Sequence, residues 1–209
     1  MAVVITVAQQ KGGAGKTTLA ANLAALLAET KQVALLDIDP QRSLTHWHAL
    51  RTGRPARPAE IGFSDVSGWR LGNELDRIRR RYDVLIVDSP PQIETDARIA
   101  VRGADLVLVP VQPSPPDLWA AEGTLKLAGE EKRKVRLVLN RVPASGKLRT
   151  GVEADIARHG YPVFATTLGN RTDFAGAFAQ GLGVTETAPR STAAQELRAL
   201  LAEIEDVLQ

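Results

Sequence analysis

A glycine-rich octapeptide near the start of the sequence has the residue types and spacing of a phosphate-binding loop. The segment KGGAGKTT, residues 11–18, follows an apolar run at residues 3–8 and leads into an alanine- and leucine-rich stretch. If the run is a strand and the stretch is a helix, loop N–H groups and the free N–H groups of the first helical turn surround one anion. The spacing therefore predicts a site that fits a triphosphate best.

Each residue type in this loop has a physical task. Glycine at positions 12, 13 and 15 lets the backbone approach phosphate oxygens without a Cβ. Lys16 places an ammonium on the β- and γ-phosphate oxygens, and Thr17 offers a hydroxyl to Mg²⁺. Thr18 can contact an α-phosphate oxygen. The predicted loop contacts to a nucleotide are Lys11, Gly12, Gly13, Ala14, Gly15, Lys16, Thr17 and Thr18.

Aspartates follow two other apolar runs. Asp37 and Asp39 stand at the end of the run at residues 33–37, and Asp88 ends the run in VLIVDSPP, residues 84–91. Open α/β sheets bind ligands at the carboxyl ends of their strands. We therefore expect these carboxylates near the phosphate loop.

Apolar runs alternate with helix-like segments along the chain, which predicts an α/β fold with a doubly wound, mostly parallel sheet flanked by helices. The segment at residues 51–67 is predicted to be a surface loop. Strands are predicted at residues 3–8, 33–37, 84–88, 106–111 and 135–140, with a weaker one at 163–166. Helices are predicted at residues 17–29, 43–50, 68–80, 95–102, 116–128, 148–159, 172–180 and 192–208.

Length and composition narrow the class of protein. The 209 residues fit one α/β domain, and we expect a single domain over residues 1–209. With no cysteine, disulfides and thiolate metal sites, including iron–sulfur clusters, are excluded. No run of about 18 apolar residues and no signal-like N-terminal region is evident, so a cytoplasmic location is expected.

Three motifs together resemble those of one family. KGGAGKTT begins with lysine, and the residue before it is Gln10, where the ordinary GxxxxGK[ST] pattern requires glycine. With these two features the segment resembles the deviant Walker A motif of the ParA/MinD ATPases. VALLDIDPQRSLTHW, residues 33–47, resembles the second motif of the ParA branch, and VLIVDSPP resembles a Walker B strand. The resemblance spans the chain from residue 1, which implies a small ParA type without an N-terminal helix-turn-helix domain.

The resemblance implies an ATPase with ATP and Mg²⁺ as cofactors. It assigns catalytic roles to Lys11, Lys16 and Asp39, with Asp39 positioning the attacking water. Asp37, Asp88 and Thr17 are then the residues around Mg²⁺ and its waters. Lys11 is implied to reach across a sandwich homodimer to the phosphates of the partner subunit.

Asn140 lies at the end of a predicted strand, at the position where relatives use an asparagine on adenine. An amide side chain can pair with both a ring nitrogen and the exocyclic amine of that base. The guanine-specific NKxD pattern is absent, since Asn140 is followed by Arg141, Val142 and Pro143. Asparagine also ends many strands for reasons of turn geometry alone, so both interpretations remain open.

Basic residues outnumber acidic ones between residues 126 and 149. Such a run is often a solvated helix surface. ParA relatives bind DNA without sequence preference as ATP-bound dimers, which implies non-specific DNA and nucleoid association here too. The candidate DNA contacts are Arg171, Lys147, Arg149, Arg198 and Arg158. A ParB-like or small cargo-bound protein is the implied activator, and the cargo could be a plasmid, a chromosome or a large protein cluster.

Two other classes compete with this interpretation. A MinD-like ATPase that cycles on membranes ends in a basic amphipathic helix, whereas the segment at residues 193–209 places Glu196, Glu203, Glu205 and Asp206 on its polar face. We therefore expect no membrane partner and a final helix packed on the core. An ATP-dependent ligase of the dethiobiotin synthetase type shares the loop but has no need of Lys11 or of DIDPQ.

Overall fold

A computed structural model describes residues 2–56, 58–91, 95–144 and 147–209, and within these ranges six parallel strands form one sheet. Their order across the sheet is β3-β2-β4-β1-β5-β6. The strands are β1 (Val3–Val7), β2 (Val33–Asp37), β3 (Gly62–Asp65), β4 (Val84–Asp88), β5 (Leu106–Val111) and β6 (Lys134–Leu139). The predicted α/β fold class is confirmed, and the sheet is parallel throughout.

Helices connect the strands and cover the sheet. They are α1 (Lys16–Leu27), α2 (Ser43–Thr52), α3 (Leu71–Ile78), α4 (Thr95–Gly103), α5 (Pro115–Glu130), α6 (Lys147–His159), α7 (Thr172–Phe178), α8 (Val184–Thr187) and α9 (Thr192–Leu208). A 3-10 turn at Gly68–Arg70 precedes α3, so the single helix predicted at residues 68–80 is divided.

Side chains of the strands alternate between two helical layers. Ile5 and Val7 of β1 belong to a buried cluster with residues of α1 and α9, and the indole of Trp47 lies in the same cluster. Val4, the residue before Ile5, packs in a cluster with α3 on the opposite face. Because both faces of the sheet are covered, the strands are continuous apolar runs, as in other parallel sheets.

Two predictions for weakly apolar segments were wrong. The segment at residues 51–67 contains β3, which pairs only with β2 at the edge of the sheet. Its sequence GFSD is partly exposed and lacks the long apolar run that identified the central strands. Residues 163–166 do not form a strand, although Val163 makes an isolated parallel bridge with Leu137 beside β6.

The final helix packs on the core, as its apolar stripe predicts. Leu197, Leu200 and Ile204 are fully buried against the sheet, and Leu201 and Leu208 are partly buried. Glu203 accepts hydrogen bonds from the backbone N–H groups of Ala165 and Thr166. Among the helices in the described part of the chain, none has the length and apolar character needed to cross a bilayer.

Leu200→Ala is expected to lower the free energy of unfolding by about 2–5 kcal/mol, because it leaves a cavity in the core. The matched control is Leu201→Ala, since this neighbour is only partly buried and should lose clearly less. Urea denaturation of both variants measures the difference. Equal small losses would show that the stripe of α9 is not part of the core.

Candidate nucleotide-binding site

The glycine-rich loop lies at the carboxyl edge of the sheet, between β1 and α1. Gly13 and Gly15 have φ angles of 80° and 93°, in the left-handed region that favours glycine. A Cβ at Gly15 would lie 2.4 Å from Nδ2 of Asn140, so close approach also requires glycine there. Gly15 directly precedes α1, which directs the free N–H groups of this helix toward the loop.

Side chains from the ends of β5 and β6 hold the carbonyl groups of the loop. Nε2 of Gln112 and Nη1 of Arg141 each donate to the Gly13 carbonyl at 3.1 Å. Nδ2 of Asn140 donates to the Ala14 carbonyl at 2.9 Å. The three side chains therefore bind the carbonyl side of the loop. Its N–H groups are predicted to face the other way, toward the phosphate. Gln112 and Arg141 were not among the predicted site residues, although both lie just after the carboxyl end of a strand, where open α/β sheets bind ligands.

Lys16 is almost completely buried at the first turn of α1, with 7% of its surface exposed. Burial lowers the pKa of its ammonium, and the carboxylates of Asp88 and Asp39 act in the opposite direction. The roles predicted for Lys16 and these aspartates stay predictions.

Asp88 is the most deeply buried acid of the site. Both of its carboxylate oxygens are inaccessible to solvent, and neither accepts a well-aligned hydrogen bond from the described residues, although the Thr17 hydroxyl lies close enough to act on the carboxylate. Burial raises the pKa of Asp88 to about 7; the Thr17 hydroxyl and Lys16 oppose this rise, whereas Asp37 and Asp39 add to it. A buried carboxylate without donors fits a position beside a cation or its bound water.

Asp37 is paired with Asp88 across β2 and β4, and its carboxylate is fixed by hydrogen bonds. It accepts from the N–H and the hydroxyl of Thr45 at 2.8 and 2.7 Å, and from the N–H of Asp39 at 3.1 Å. Asp39 is only partly buried and accepts from the N–H of Gln41. The structure thus brings Asp37, Asp39 and Asp88 to one edge, while Thr45 is a supporting residue that the sequence analysis missed.

Lys11 forms an ion pair within its own chain. Its Nζ lies 2.5 Å from Oδ2 of Asp117 in the first turn of α5. The hydroxyl of Ser114 donates to the same oxygen at 2.5 Å. Asp117 was not predicted either, because the contact joins residues 106 positions apart.

A cavity of about 410 Å³ opens beside the loop, lined by residues that include Thr18, Asn140, Arg171 and Phe174. Oδ1 of Asn140 accepts from the N–H of Arg141 at 3.0 Å, in addition to the bond from its Nδ2 to the loop. Each of these amide atoms can make one more hydrogen bond. Asn140 therefore has a structural role here, and its contact with adenine stays a prediction.

The candidate DNA contacts differ in how their charges are engaged. Arg171 forms a bidentate pair with Glu196 at 2.9 and 2.6 Å, and Arg149 and Arg158 pair with Glu153 and Asp155. Nη1 of Arg198 donates to the Pro189 carbonyl at 2.8 Å. Lys147 begins α6, and its side chain lies outside the described part of the structure. DNA binding stays a prediction.

The strand order and the glycine loop define a P-loop nucleotide-binding fold. Residues 5–184 match the family described as the CobQ/CobB/MinD/ParA nucleotide binding domain. The chain belongs to this family.

Similar proteins include known positioning and partitioning proteins. Maintenance of carboxysome distribution protein A of Halothiobacillus neapolitanus is 30% identical over 210 residues, which is 97% of this chain and 96% of that protein. The chromosome-partitioning ATPase Soj of Thermus thermophilus is 31% identical over 238 residues, covering 96% of this chain and 94% of Soj.

Solved structures of this family share the fold. Apo McdA of Cyanothece superposes with a TM-score of 0.82 at 19% identity, covering 100% of both chains. MinD of Pyrococcus horikoshii with Mg-ADP gives a TM-score of 0.79 at 17% identity, covering 98% of this chain and 96% of that chain.

Asp88→Asn is expected to stabilise the protein without nucleotide by about 1–3 kcal/mol at pH 8, because it removes a buried carboxylate that no well-aligned donor satisfies. The folded pKa of about 7 lies above the ordinary 3.8, so the folded state holds the proton more tightly than the unfolded state. Stability of the parent therefore falls as the pH rises between these values, and the gain from Asn should vanish near pH 4.

Urea denaturation in chelator at several pH values measures this gain. Asp76→Asn on the exposed surface of α3 is the control, and it should change stability by less than about 0.5 kcal/mol. If the stability gained by Asp88→Asn were the same at every pH, Asp88 would not have the raised pKa that its burial predicts.

Proposed function

We propose that the protein is a ParA-like ATPase that hydrolyses ATP to ADP and phosphate and uses ATP to form a sandwich homodimer. The observation that supports it most is the pair of lysines at one phosphate loop. Lys16 is buried inside the loop, whereas Lys11 lies at its entrance with 41% of its side chain exposed. One lysine serves the nucleotide of its own subunit, and the other is available to a second subunit.

Hydrolysis in this proposal needs positioning and charge more than covalent chemistry. Loop N–H groups and Lys16 bind the β- and γ-phosphates, and Asp39 orients the water that attacks the γ-phosphate. Thr17, Asp37 and Asp88 would hold Mg²⁺ and its waters, and the ion supplies charge neutralisation on the phosphates when bound. Lys11 of the partner subunit stabilises the negative charge that develops during transfer.

Family membership and the final helix support a proposal for the cellular role. Relatives are named for the distribution of carboxysomes and for chromosome partitioning, and we propose that this protein also positions a cargo, as a dimer on nucleoid DNA. A ParB-like or small cargo-bound protein stimulates its slow hydrolysis. A MinD-like cycle on membranes is disfavoured, since the apolar stripe of α9 is buried in the core.

Lys11→Ala and Asp39→Ala separate the proposed roles. Lys11→Ala should bind ATP as a monomer and lose the ATP-dependent dimer, because the missing ammonium belongs to the site of the other subunit. Asp39→Ala should bind ATP and form the dimer. The dimer should then accumulate, because the variant cannot orient the water that hydrolyses ATP. Size-exclusion chromatography with light scattering, at saturating ATP, measures both outcomes.

Lys16→Ala is the control for loss of binding itself, and it should weaken ATP binding by about 2 kcal/mol because it removes a charge-assisted hydrogen bond. If Lys11→Ala lost ATP binding to the same extent, Lys11 would act in its own loop. An Asp39→Ala variant that stays monomeric would assign Asp39 a different task.

DNA binding through Arg171 is tested by two changes to one ion pair. Glu196→Gln frees the guanidinium and should tighten binding of the ATP-bound dimer to unrelated DNA sequences. Arg171→Gln should weaken binding to the same extent for every DNA sequence. It should also reduce the slope of the logarithm of the binding constant against the logarithm of the salt concentration, by about one unit for each DNA phosphate that a subunit no longer neutralises. Fluorescence anisotropy at several salt concentrations measures both.

The double variant Lys147→Ala with Arg149→Ala applies the same test to α6, and Arg77→Gln on α3 is the control. Arg77 also pairs with a glutamate, Glu74, so Arg77→Gln matches the single charge lost in Arg171→Gln and gives the effect of one lost charge against which the two lost in the double variant are judged. If neither Arg171→Gln nor the double variant weakens binding more than this control, DNA is not bound by these residues.

A further inference from the structure

We infer that Asp117 is a positioning residue for Lys11: it holds this lysine on its own subunit and opposes dimer formation until ATP competes for the ammonium. The inference rests on the proposed role of Lys11 at the phosphates of a partner. It adds a competing site for the lysine within the monomer, and that site is visible as the ion pair of 2.5 Å between Lys11 Nζ and Asp117 Oδ2.

The carboxylate of Asp117 is held in place by the start of α5. Ser114 caps this helix by accepting from the N–H of Asp117, and its hydroxyl donates to Oδ2. Only 3% of the Asp117 side chain is exposed. Since the cap and burial both fix the acid, Lys11 is the partner that is free to move.

Departure of Lys11 would leave Asp117 as a buried charge without its cation. Oδ1 of Asp117 is already inaccessible and has no hydrogen-bond partner among the described residues. Removing one member of such a pair is unfavourable, because the remaining charge keeps its desolvation cost. Lys11 leaves Asp117 only if its attraction to the nucleotide of the partner subunit exceeds this cost.

This competition favours ATP over ADP as the signal for assembly. The γ-phosphate adds negative charge at the outer end of the nucleotide, nearest to a group that approaches from another subunit. ADP lacks this phosphate, so its weaker attraction leaves Lys11 on Asp117. Asp117 thereby makes the position of Lys11 depend on which nucleotide is bound.

The test is Asp117→Asn in the full chain, which removes the charge and keeps the shape. We expect the ATP concentration at half-maximal dimer formation to fall about tenfold, equivalent to about 1.4 kcal/mol, and dimer to become detectable with ADP. Glu122→Gln is the matched control, because it removes a carboxylate from the same helix at an exposed site whose partner is Tyr161. Asp117→Ser is the second variant if the first one folds poorly.

A second measurement reports the ion pair in the monomer without nucleotide. An amine-acylating reagent, read by mass spectrometry at Lys11, should react faster in Asp117→Asn than in the parent, because the ion pair holds the amine against α5. Lys132, which is exposed after α5, is the internal reference and should react equally in both proteins.

The outcomes separate the two proposals. A dimerisation midpoint equal to that of the parent, or higher than it, would overturn the role of Asp117, as would an unchanged acylation rate at Lys11. If the parent itself fails to dimerise with ATP, the proposed function fails instead, and acylation still decides whether Asp117 holds Lys11.

Discussion

The phosphate loop depends on contacts that hold its carbonyl groups from outside. A loop whose N–H groups surround an anion turns its carbonyls away from it, and a buried carbonyl such as that of Ala14 needs a donor from the protein. Gln112, Asn140 and Arg141 supply donors to Gly13 and Ala14. Because these side chains follow β5 and β6, the strand order of the sheet places them beside the loop.

The site also concentrates negative charge where water is excluded. Asp88 and Asp117 each have buried carboxylate oxygens without donors, and Lys16 and Lys11 are the cations placed beside them. Such an arrangement is less stable than a neutral one, but it leaves the site ready to respond to a nucleotide with its metal ion. In the proposal above, Lys11, with 41% of its side chain exposed, is the lysine that exchanges partners.

The sequence predicted the features that depend on local pattern. The loop, the central strands and the aspartates at their ends could be predicted because each combines an apolar run with glycine or acidic residues. The edge strand β3 was missed because GFSD has little apolar character. The pairs Lys11 with Asp117 and Arg171 with Glu196 join distant parts of the chain, so no local pattern indicates them.

The central claim is that Lys11 completes the site of the other subunit. A mixture of Lys11→Ala and Asp39→Ala tests it most directly, since each variant alone should hydrolyse ATP poorly. In a mixed dimer, the nucleotide of the Lys11→Ala subunit has its own Asp39 and receives Lys11 from the partner. The account predicts that mixing restores ATP hydrolysis above the sum of the separate variants. Hydrolysis no higher than that sum, in a mixture shown to form mixed dimers, would contradict it.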